Sequence, residues 1–479
     1  MSTKTNPSVY ACWVAGNPTA SKAPIEITNP YSNRVVGCVG QVGGDELEEA
    51  LERGSQFECS LSRYERAQIL SRTASIIGER REEFARGITD ESGLCLRETR
   101  YEMGRGIDVL QFAAAAALED DGSIFSCDIS PQGKNRKIFS TREPLNLIAA
   151  ITPFNHPFNT VIHKLAPAIA IGSPVILKPS EKTPLTALRL AEALYQAGLP
   201  GPMLSVLLGG SEEIAEPLVR DERVDLVTFT GSVKVGKQIA ATAGYKKVVL
   251  ELGGNDPLIV LANGDLDLAV HLAAEGAFRN AGQRCTAVKR ILVEESIAEE
   301  FTHRLVAQTK KYPFGDPYLE ETRLGPVIDE PAAIALETVL YDAVSRGAQI
   351  LTGGKRHGAL MEPTVVDQVP RDAAMVVKES FGPLAPILRV SDLEDAITVA
   401  NSTRYGLSAG IVTDRLKDAT RAIKRLRSGN VNVNEVPGYR IEKSPFGGIK
   451  DSGLGIKEGV LEAMKCMSNV KTFSLPWDD

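Results

Sequence analysis

One cysteine of the chain lies among small and polar residues, in the segment NAGQRCTAVKR from Asn280 to Arg290. A free cysteine usually packs as a small hydrophobe, and each of the seven cysteines, taken alone, fits that description. Cys285 differs because Arg284 directly precedes it. A neighbouring cation and helix amides could lower the pKa of its thiol toward neutrality, and a thiolate is a strong nucleophile. Cys285 is therefore a candidate nucleophile.

Two further polar residues could support the addition of a thiolate to a carbonyl carbon. The resulting oxyanion needs two preorganised donors, which the Asn155 amide in PFN and a backbone N–H could provide. Glu251, directly before a Leu-Gly-Gly turn, is suited to deprotonating a water molecule. In isolation, a buried filler cysteine and a paired surface glutamate would be the better interpretations.

Strand and helix patterns alternate between about Leu145 and Leu250, and these elements must position the candidate residues. The strand patterns are NLIAAIT, PVILK, LSVLLG, DLVTFTG and KVVLELGG, and the helix patterns are HKLAPAIAIG, TPLTALRLAEALYQAG, SEEIAEPLV and SVKVGKQIAATAG. In the second of these helices we expect Thr183 as the cap, Pro184 in the first turn and Gly198 at the end. The alternation predicts an α/β fold with a parallel, doubly wound sheet.

A second α/β series follows Gly254, which predicts a second domain joined near ELGGN. Its patterns are the strand PLIVLA, the helix DLDLAVHLAAEGAFRNAG, the strand RILVEE and the helix AEEFTHRLVAQTKKY. The polar segment DISPQGKNRKIFSTREP has no helix period and is expected to be an extended arm. The C-terminal CMSNVKTFSLPW is expected to be a strand that pairs outside its own domain. Arms of this kind commonly build oligomers.

The composition fits a soluble enzyme of two or three packed units, with 479 residues, 43% apolar and 24% charged. A net charge of −7, without long runs of either sign, argues against nucleic-acid or anionic-membrane partners. The N-terminal MSTKTNPSVYACWVAG shows no signal peptide, and the most apolar run is interrupted by His163, Lys164 and two prolines. Seven scattered cysteines without a C-x-x-C pair predict free thiols in a reducing cytoplasm and no zinc site.

The glycine loops leave three interpretations of nucleotide binding open. The dinucleotide fingerprint G-x-G-x-x-G is absent. GSVKVGKQ, from Gly231 to Gln238, fits most of a P-loop, but Gln238 stands where a Ser or Thr should hold magnesium. The segment could instead be a tight strand-to-helix turn. Its amides and Ser232, at a helix N-terminus, could also receive a dinucleotide pyrophosphate without a metal.

Six motifs in order resemble the NAD(P)-dependent aldehyde dehydrogenase superfamily over essentially the whole chain. They are PFN (153–155), KPSE (178–181), FTGS (229–232), LELGGNDP (250–257), GQRCTA (282–287) and ESFGP (379–383). The resemblance implies two doubly wound domains and a small β oligomerisation arm, assembled as dimers or tetramers. The NAD-binding domain would comprise 1–120 and 146–252, the catalytic domain 253–433, and the arm and C-terminal segment 121–145 and 434–479.

The resemblance also implies roles for individual residues. Cys285 resembles the nucleophile, Glu251 the base, and Asn155 with the Cys285 amide the oxyanion hole. Lys178 and Glu181 resemble contacts of the adenine ribose, Ser232 of the pyrophosphate, and Glu379 with Phe381 of the nicotinamide ribose. The full set of implied cofactor residues, for NAD with NADP possible, is Thr152, Pro153, Phe154, Lys178, Ser180, Glu181, Phe229, Thr230, Gly231, Ser232, Leu252, Gly253, Glu379 and Phe381.

The substrate is expected to be a short anionic aldehyde. Family members with apolar substrates usually carry an aromatic residue after the motif asparagine and an uncharged residue before the cysteine. This chain has His156 and Arg284 there, and the resemblance places Arg105, Thr286 and Arg440 around the substrate funnel. Cationic side chains around one nucleophile favour a doubly charged substrate. The pattern is most similar to enzymes that oxidise phosphonoacetaldehyde to phosphonoacetate.

Several alternatives stay open at this point. Sulfoacetaldehyde, lactaldehyde, succinate semialdehyde and a glyceraldehyde phosphate would also attract arginines, and Arg105 and Arg440 could be ordinary ion-paired groups. From another class, a P-loop hydrolase is disfavoured by Gln238. A catalytically silent relative is disfavoured by the intact Cys285, Glu251 and Asn155. A coenzyme-A-acylating relative is disfavoured because such enzymes characteristically lack the base.

Overall fold

The computed structural model describes residues 9–120 and 122–477. The prediction that no signal peptide is present rests partly on residues 1–8, which lie outside this range. The predicted domain boundaries at residues 1, 121 and 479 also lie outside it. No helix within the described residues is long and apolar enough to cross a membrane.

The elements up to residue 251 form the first half of the fold. The strands are β1 (Val9–Tyr10), β2 (Cys12–Val14), β3 (Asn17–Thr19), β4 (Lys22–Thr28), β5 (Val35–Gln41), β6 (Ile124–Ser126), β7 (Arg136–Pro144), β8 (Ile148–Ile151), β9 (Val175–Lys178), β10 (Leu204–Val206), β11 (Leu226–Thr230) and β12 (Lys247–Glu251). The helices are α1 (Gly44–Ser55), α2 (Arg63–Glu79), α3 (Arg81–Ser92), α4 (Leu96–Ala117), α5 (Asn159–Ile171), α6 (Leu185–Gln196), α7 (Glu216–Arg220) and α8 (Val233–Thr242).

The remaining elements follow after a short connection. The strands are β13 (Asp256–Val260), β14 (Val288–Glu294), β15 (Gln349–Thr352), β16 (Arg356–His357), β17 (Leu360–Met361), β18 (Thr364–Asp367), β19 (Leu384–Val390), β20 (Ser408–Val412), β21 (Asn430–Val433) and β22 (Ser468–Pro476). The helices are α9 (Leu266–Phe278), α10 (Ala298–Thr309), α11 (Glu330–Ser345), α12 (Ala374–Val377), α13 (Leu393–Asn401), α14 (Leu416–Arg425) and α15 (Val460–Cys466).

The first large sheet has the strand order β12-β11-β8-β9-β10-β2-β3. Strands β8 to β12 are parallel, and β2 and β3 add an antiparallel edge. From β8 the chain proceeds outward through β9 and β10, and then returns to the other side through β11 and β12. The order therefore reverses between β8 and β11, which is where parallel sheets of this kind bind ligands. The predicted doubly wound sheet is confirmed.

The second large sheet has the order β15-β18-β19-β14-β13-β20-β21. All its pairs are parallel except that of the edge strand β15 with β18. Its central strands β13, β14 and β19 are buried almost throughout, as helix-covered parallel sheets require, and they are mainly apolar apart from charged residues that include Lys289 and Arg290 on β14. A separate hydrophobic core surrounds each large sheet.

Only Leu252 to Asn255 separate β12 of the first sheet from β13 of the second. The chain thus leaves the carboxyl edge of one sheet and enters the amino edge of the other. Residues that end β8, β11 and β12, and residues that precede β14, consequently face the same space between the sheets.

The two predicted arm segments form one small sheet of order β22-β7-β6. Strand β22 pairs antiparallel with β7 over nine residues, from Ser468–Pro144 to Pro476–Arg136. The partner of the C-terminal strand is therefore the arm of the same chain. Helix α15, just before it, packs against α4 and α5 and contributes Val460 and Ala463 to the first core.

The predicted start of α6 needs correction. The helix begins at Leu185, so Pro184 and not Thr183 occupies the N-cap position. The buried carboxylate of Glu91 on α3 accepts hydrogen bonds from the Leu185 and Thr186 amides, at 2.7 and 3.0 Å. The cap comes from a side chain distant in sequence, because a buried helix start needs acceptors for its free amides.

Candidate active site

A cavity of about 370 Å³ lies between the two sheets. All predicted catalytic residues, Asn155, Glu251 and Cys285, line it. So do the predicted substrate residues Arg105, His156, Arg284, Thr286 and Arg440, and the predicted cofactor residues Pro153, Phe154, Thr230, Gly231, Ser232, Leu252, Gly253, Glu379 and Phe381. The structure thus brings most of the sequence-predicted residues to one space.

Five predicted cofactor residues do not line this cavity. Thr152 and Phe229 are buried at the ends of β8 and β11. Lys178, Ser180 and Glu181 follow β9, the next strand in the sheet, and the Lys178 ammonium group contacts the Glu181 carboxylate at 3.0 Å. These three lie one strand farther along the carboxyl edge, where an elongated ligand that crosses the edge would reach them.

The segment before Cys285 has an unusual backbone. Asn280, Ala281 and Gly282 have φ values of 57°, 51° and 69°, a left-handed conformation that only glycine adopts readily. A Cβ atom on Gly282 would lie 2.1 Å from the carbonyl oxygen of Gly382. The small residues around Cys285 therefore serve a tight turn that fits against the loop before β19.

Arg284 does not bring the pKa of the Cys285 thiol to neutrality. Its Nη2 donates to the carbonyl of Gly276, at 2.9 Å, in the last turn of α9. Burial raises the pKa of Cys285 to about 11. The charges of Lys289 and Arg284 favour the thiolate, while those of Asp256, Glu379 and Glu251 oppose it. The expectation of a thiol pKa near neutrality is wrong, because desolvation outweighs the nearby cations.

The Asn155 side chain is oriented by the nucleophile segment itself. Its amide Nδ2 donates to the carbonyl of Gln283 at 2.8 Å, and Asn280 donates to the carbonyl of Asn155 at 3.1 Å. A primary amide has two N–H groups, so the second N–H of Asn155 can donate to an oxyanion. The predicted oxyanion donor is therefore fixed to the same segment as the nucleophile.

Glu251 ends β12 and is buried, and neither of its carboxylate oxygens has a hydrogen-bond partner within the described residues. Burial, followed by the charge of Glu458, raises the pKa of Glu251 well above its ordinary value. Gly447 packs against this carboxyl group, since a Cβ atom there would lie 2.6 Å from Oε1. Glu251 therefore rests as a neutral acid, and its carboxylate would be a strong base.

A buried ion pair lies beside Glu251. The Lys164 ammonium group contacts the Glu458 carboxylate at 2.7 Å and the Thr228 hydroxyl at 2.9 Å. This lysine keeps the pKa of Glu458 low. Sequence reasoning did not assign either residue, although a lysine and a histidine inside the apolar run HKLAPAIAIG were a signal of buried charge.

The switch point between β8 and β11 carries features that suit a dinucleotide. Ser232 caps α8, its Oγ accepting from the Val235 amide at 3.3 Å, so the helix N-terminus faces the cavity. The Glu379 carboxylate packs directly against Gly253, since a Cβ atom on this glycine would lie 2.1 Å from it. Both residues line the cavity. Phe381 adopts a φ of 54° and meets Phe154 edge-on with ring centroids 6.0 Å apart. The residues present fit the predicted cofactor.

The P-loop interpretation is wrong. Helix α8 begins at Val233, directly after Ser232, so Gly236 and Lys237 lie inside the helix and form no phosphate-wrapping loop. Lys237 instead pairs with Asp451 at 2.8 Å. Within residues 9–120 and 122–477, no group of three or more His, Cys, Asp or Glu side chains could hold a metal ion.

A second cavity, of about 210 Å³, shares Arg105, His156, Arg284 and Arg440 with the first. Arg105 donates to Glu442 through Nε, and Arg440 lies 3.7 Å from the same carboxylate. Both arginines are therefore ion-paired, as the alternative interpretation expected. However, they are buried and line the same cavity as Cys285. Together with His163, which also contacts Glu442, these groups form what we call the Glu442 cluster.

Two guanidinium nitrogens in this region have no acceptor among the described residues, Nε of Arg284 and Nη1 of Arg440. No described carboxylate forms an ion pair with Arg284, whereas Arg279 in the same outer cavity is held by Glu98 at 2.8 Å. Burial and the charges of Arg105, Arg284 and Arg279 hold the pKa of His156 well below its ordinary value. His156 is therefore neutral, and its ring can still donate one N–H group.

Comparisons with known proteins show which family this sequence resembles. The sequence matches the model of the aldehyde dehydrogenase family over residues 13–473. It is 37% identical over 476 residues to 3-sulfolactaldehyde dehydrogenase of Priestia aryabhattai, covering 99% of this chain and 100% of that protein.

Two solved structures share the fold. One is aldehyde dehydrogenase 21 of Physcomitrella patens with its reaction product succinate, at a TM-score of 0.96 and 37% identity, with 99% of each chain covered. The other is a glyceraldehyde-3-phosphate dehydrogenase of Methanocaldococcus jannaschii with NADP, at a TM-score of 0.92 and 36% identity, with 96% of this chain and 100% of that chain covered.

The chain therefore belongs to the aldehyde dehydrogenase family. It is an NAD(P)-dependent oxidoreductase, as the motifs predicted.

Replacing Glu251 by Gln should separate formation of the acyl-enzyme from its hydrolysis. If Glu251 is the base, hydrolysis should slow about 100-fold or more, a general-base magnitude, while one equivalent of NADH still forms rapidly. Stopped-flow absorbance measures the burst, and intact-mass spectrometry measures an acyl group on Cys285. Cys285→Ala is the matched control and should show neither signal. Unchanged steady-state turnover in Glu251→Gln would remove this residue from the mechanism.

Proposed function

We propose that the protein oxidises a short dianionic aldehyde to its acid, with phosphonoacetaldehyde as the substrate and phosphonoacetate as the product. The main support for this proposal is that two buried guanidinium nitrogens, on Arg284 and Arg440, have no acceptor among the described residues. Both arginines line the cavity that contains Cys285. Buried donors without partners are costly and are usually satisfied by a ligand or water. An anion with several oxygens would satisfy them.

The charges of the subsite support a dianion. Arg105, Arg284 and Arg440 line the subsite, and Glu442 pairs with Arg105 and Arg440. His156 and His163 are neutral, since burial lowers the pKa of both. Arg284 and Arg440 each keep one N–H group without an acceptor among the described residues, and the three oxygens of a phosphonate could accept from both. A sulfonate is the second candidate, because the relative from Priestia aryabhattai is named for 3-sulfolactaldehyde.

The chemistry follows from the residues around Cys285. The thiolate of Cys285 adds to the aldehyde carbon, and the alkoxide accepts from the free N–H of Asn155 and from the Cys285 amide. Bound NAD(P) supplies a hydride acceptor. Loss of hydride leaves a thioester on Cys285. Glu251, once ionised, takes a proton from water, and the resulting hydroxide releases the acid and restores the thiolate.

The cofactor would lie along the carboxyl edge of the first sheet. Lys178 and Glu181 would contact the adenine ribose, the Ser232 turn the pyrophosphate, and Glu379 and Phe381 the nicotinamide ribose. The order of these residues supports this proposal. They lie in turn at β9, at β11 and in the loop before β19, and the parts of a dinucleotide would meet them in the same order.

Arg105→Ala should discriminate between charged and uncharged substrates. Loss of one charge-assisted contact should cost about 1.5–3 kcal/mol, or roughly 10- to 150-fold in kcat/KM, mainly through KM. The kcat/KM values for phosphonoacetaldehyde and for propanal are measured from NADH absorbance. The value for propanal should change little. Arg100→Ala is the matched control, since Arg100 lies on the same helix but pairs with Glu82 and Glu320 away from the cavity. Equal losses on both aldehydes in Arg105→Ala would show that Arg105 holds structure only.

NAD should be preferred over NADP. The Glu181 carboxylate, held by Lys178 at 3.0 Å, would accept from ribose hydroxyls and repel a 2′-phosphate. Glu181→Gln should therefore raise kcat/KM for NADP relative to NAD, because the charge is removed and the shape kept. The ratio of the two kcat/KM values measures this effect. A wild-type preference for NADP would contradict the assignment.

The arm is proposed to join copies of this chain into a dimer or tetramer. On one face of the small sheet, Ile124, Phe139 and Phe473 lie in register across three strands, and Phe139 stacks on Phe473 at 5.3 Å. Ile124, Phe473, Leu475 and Trp477 are exposed. A three-stranded sheet with exposed apolar side chains is typical of an interface.

Phe473→Lys should weaken this assembly. A charge on the apolar face would have to be desolvated at the interface, so the mass measured by light scattering should fall toward 51.5 kDa. Lys471→Glu on the same strand is the matched control for a changed charge. A monomeric wild-type protein would contradict the proposal.

The domain boundaries follow the two sheets. We propose 1–120 and 146–252 as the cofactor domain and 253–433 as the catalytic domain, supported by the two separate cores. Helix α15 adds to the first core, so the C-terminal segment also supports the cofactor domain. All seven cysteines are free thiols, which supports a reducing compartment such as the cytoplasm.

A further inference from the structure

Lys289, on β14, places an ammonium group against the backbone of the turn that bears Cys285. Its side chain is 1% exposed. Nζ donates to the carbonyl of Arg284 and to the carbonyl of Cys285, both at 2.7 Å, and lies 3.1 Å from the Glu379 carboxylate. The mechanism derived above does not use this lysine.

The three partners of Lys289 come from separate parts of the chain. The carbonyls belong to the turn that ends in Cys285, and the carboxylate belongs to the loop before β19. That loop also supplies Phe381, whose ring centroid lies 5.9 Å from Nζ. Glu379 in turn accepts from the Gly254 amide at 3.2 Å, next to the connection that follows Glu251. One buried cation therefore joins the nucleophile turn to the loop that bears Glu379.

A lysine buried this completely must be compensated, since an isolated ammonium group is costly away from water. An apolar residue of similar size would fill the same space without that cost. A buried charge is thus a specific feature of this position, and its nearest reactive neighbour is the thiol of Cys285.

We propose that Lys289 is a positioning residue for the reaction. It fixes the Arg284–Cys285 turn against Glu379 and favours the thiolate of Cys285 through its charge, in opposition to Glu379. The inference rests on the proposed role of Cys285 as the nucleophile. Arg284 also favours the thiolate, but its guanidinium group is held at the end of α9, whereas Lys289 contacts the Cys285 backbone directly.

The charges that face Cys285 come from five segments. Lys289 on β14 and Arg284 beside the cysteine favour the thiolate, whereas Asp256 on β13, Glu379 before β19 and Glu251 on β12 oppose it. The two members of the Lys289–Glu379 pair should therefore act with opposite sign. Removing the lysine should raise the pKa of Cys285, and removing the carboxylate should lower it. In either case the thiol proton passes to solvent.

The test uses the cofactor-free full chain and the rate of iodoacetamide alkylation at Cys285, measured by peptide mass spectrometry from pH 6 to 11. Lys289→Met should slow alkylation at a fixed pH about tenfold, the effect of one pKa unit, and Glu379→Gln should accelerate it by a similar factor. Lys450→Met, which removes a lysine that likewise donates to two carbonyls, those of Asn401 and Thr403, but does not line the cavity of Cys285, should leave the profile unchanged. Cys285→Ala identifies the modified site.

Opposite shifts in the two variants would support the proposal. Shifts of the same sign, or no shift in Lys289→Met, would show that the lysine only fills space and would overturn it. If Lys289→Met does not fold, the test rests on Glu379→Gln. Slower or unchanged alkylation in that variant would contradict the proposal that Lys289 and Glu379 act on Cys285 with opposite sign. Absence of NADH formation from any aldehyde in the wild type would instead overturn the proposed function, and the alkylation profiles would still measure the charges around Cys285.

Discussion

The short connection from Leu252 to Asn255 is the constraint on which the active site depends. Since it carries the chain from the carboxyl edge of one sheet to the amino edge of the other, Glu251 and the nucleophile turn must share one space. Gly253 and Gly254 make the close approach possible. A Cβ atom on Gly254 would lie 2.4 Å from the carbonyl oxygen of Cys285, and one on Gly253 would meet Glu379. A longer or bulkier connection would separate the base from the thiol.

Buried charge organises the rest of the site. Lys164 is paired with Glu458, Lys289 with Glu379, and Arg105 with Glu442, as charges removed from water require. Two groups assigned to the chemistry are exceptions. Among the described residues, the Glu251 carboxylate has no hydrogen-bond partner and Nε of Arg284 has no acceptor. Most buried ion pairs of the site therefore hold segments in place, while these two groups keep free hydrogen-bonding capacity.

The sequence predicted what depends on local patterns. Alternating strands and helices gave the doubly wound sheets, and the order of short motifs gave Cys285, Glu251 and Asn155, because each motif carries its own turn. It failed where the partner is distant along the chain. The cap of α6 is Glu91, and Arg284 turns to α9 because a free helix end offers carbonyls there. The Lys164–Glu458 pair spans 294 residues, and no local pattern reports such a contact.

In the proposed mechanism, the raised pKa values of Cys285 and Glu251 would impose an order on the reaction. Burial favours the neutral form of both groups, and each charge opposes the other, since Glu251 is among the groups that raise the pKa of Cys285. Two anions in one buried cavity would repel strongly, so both cannot ionise at once without cost. Covalent addition resolves the conflict, because the thiolate charge passes to the alkoxide and leaves with the hydride. The thioester that remains is neutral, and only then can Glu251 ionise without an opposing anion on Cys285. The electrostatics of the cavity thus place water activation after hydride transfer.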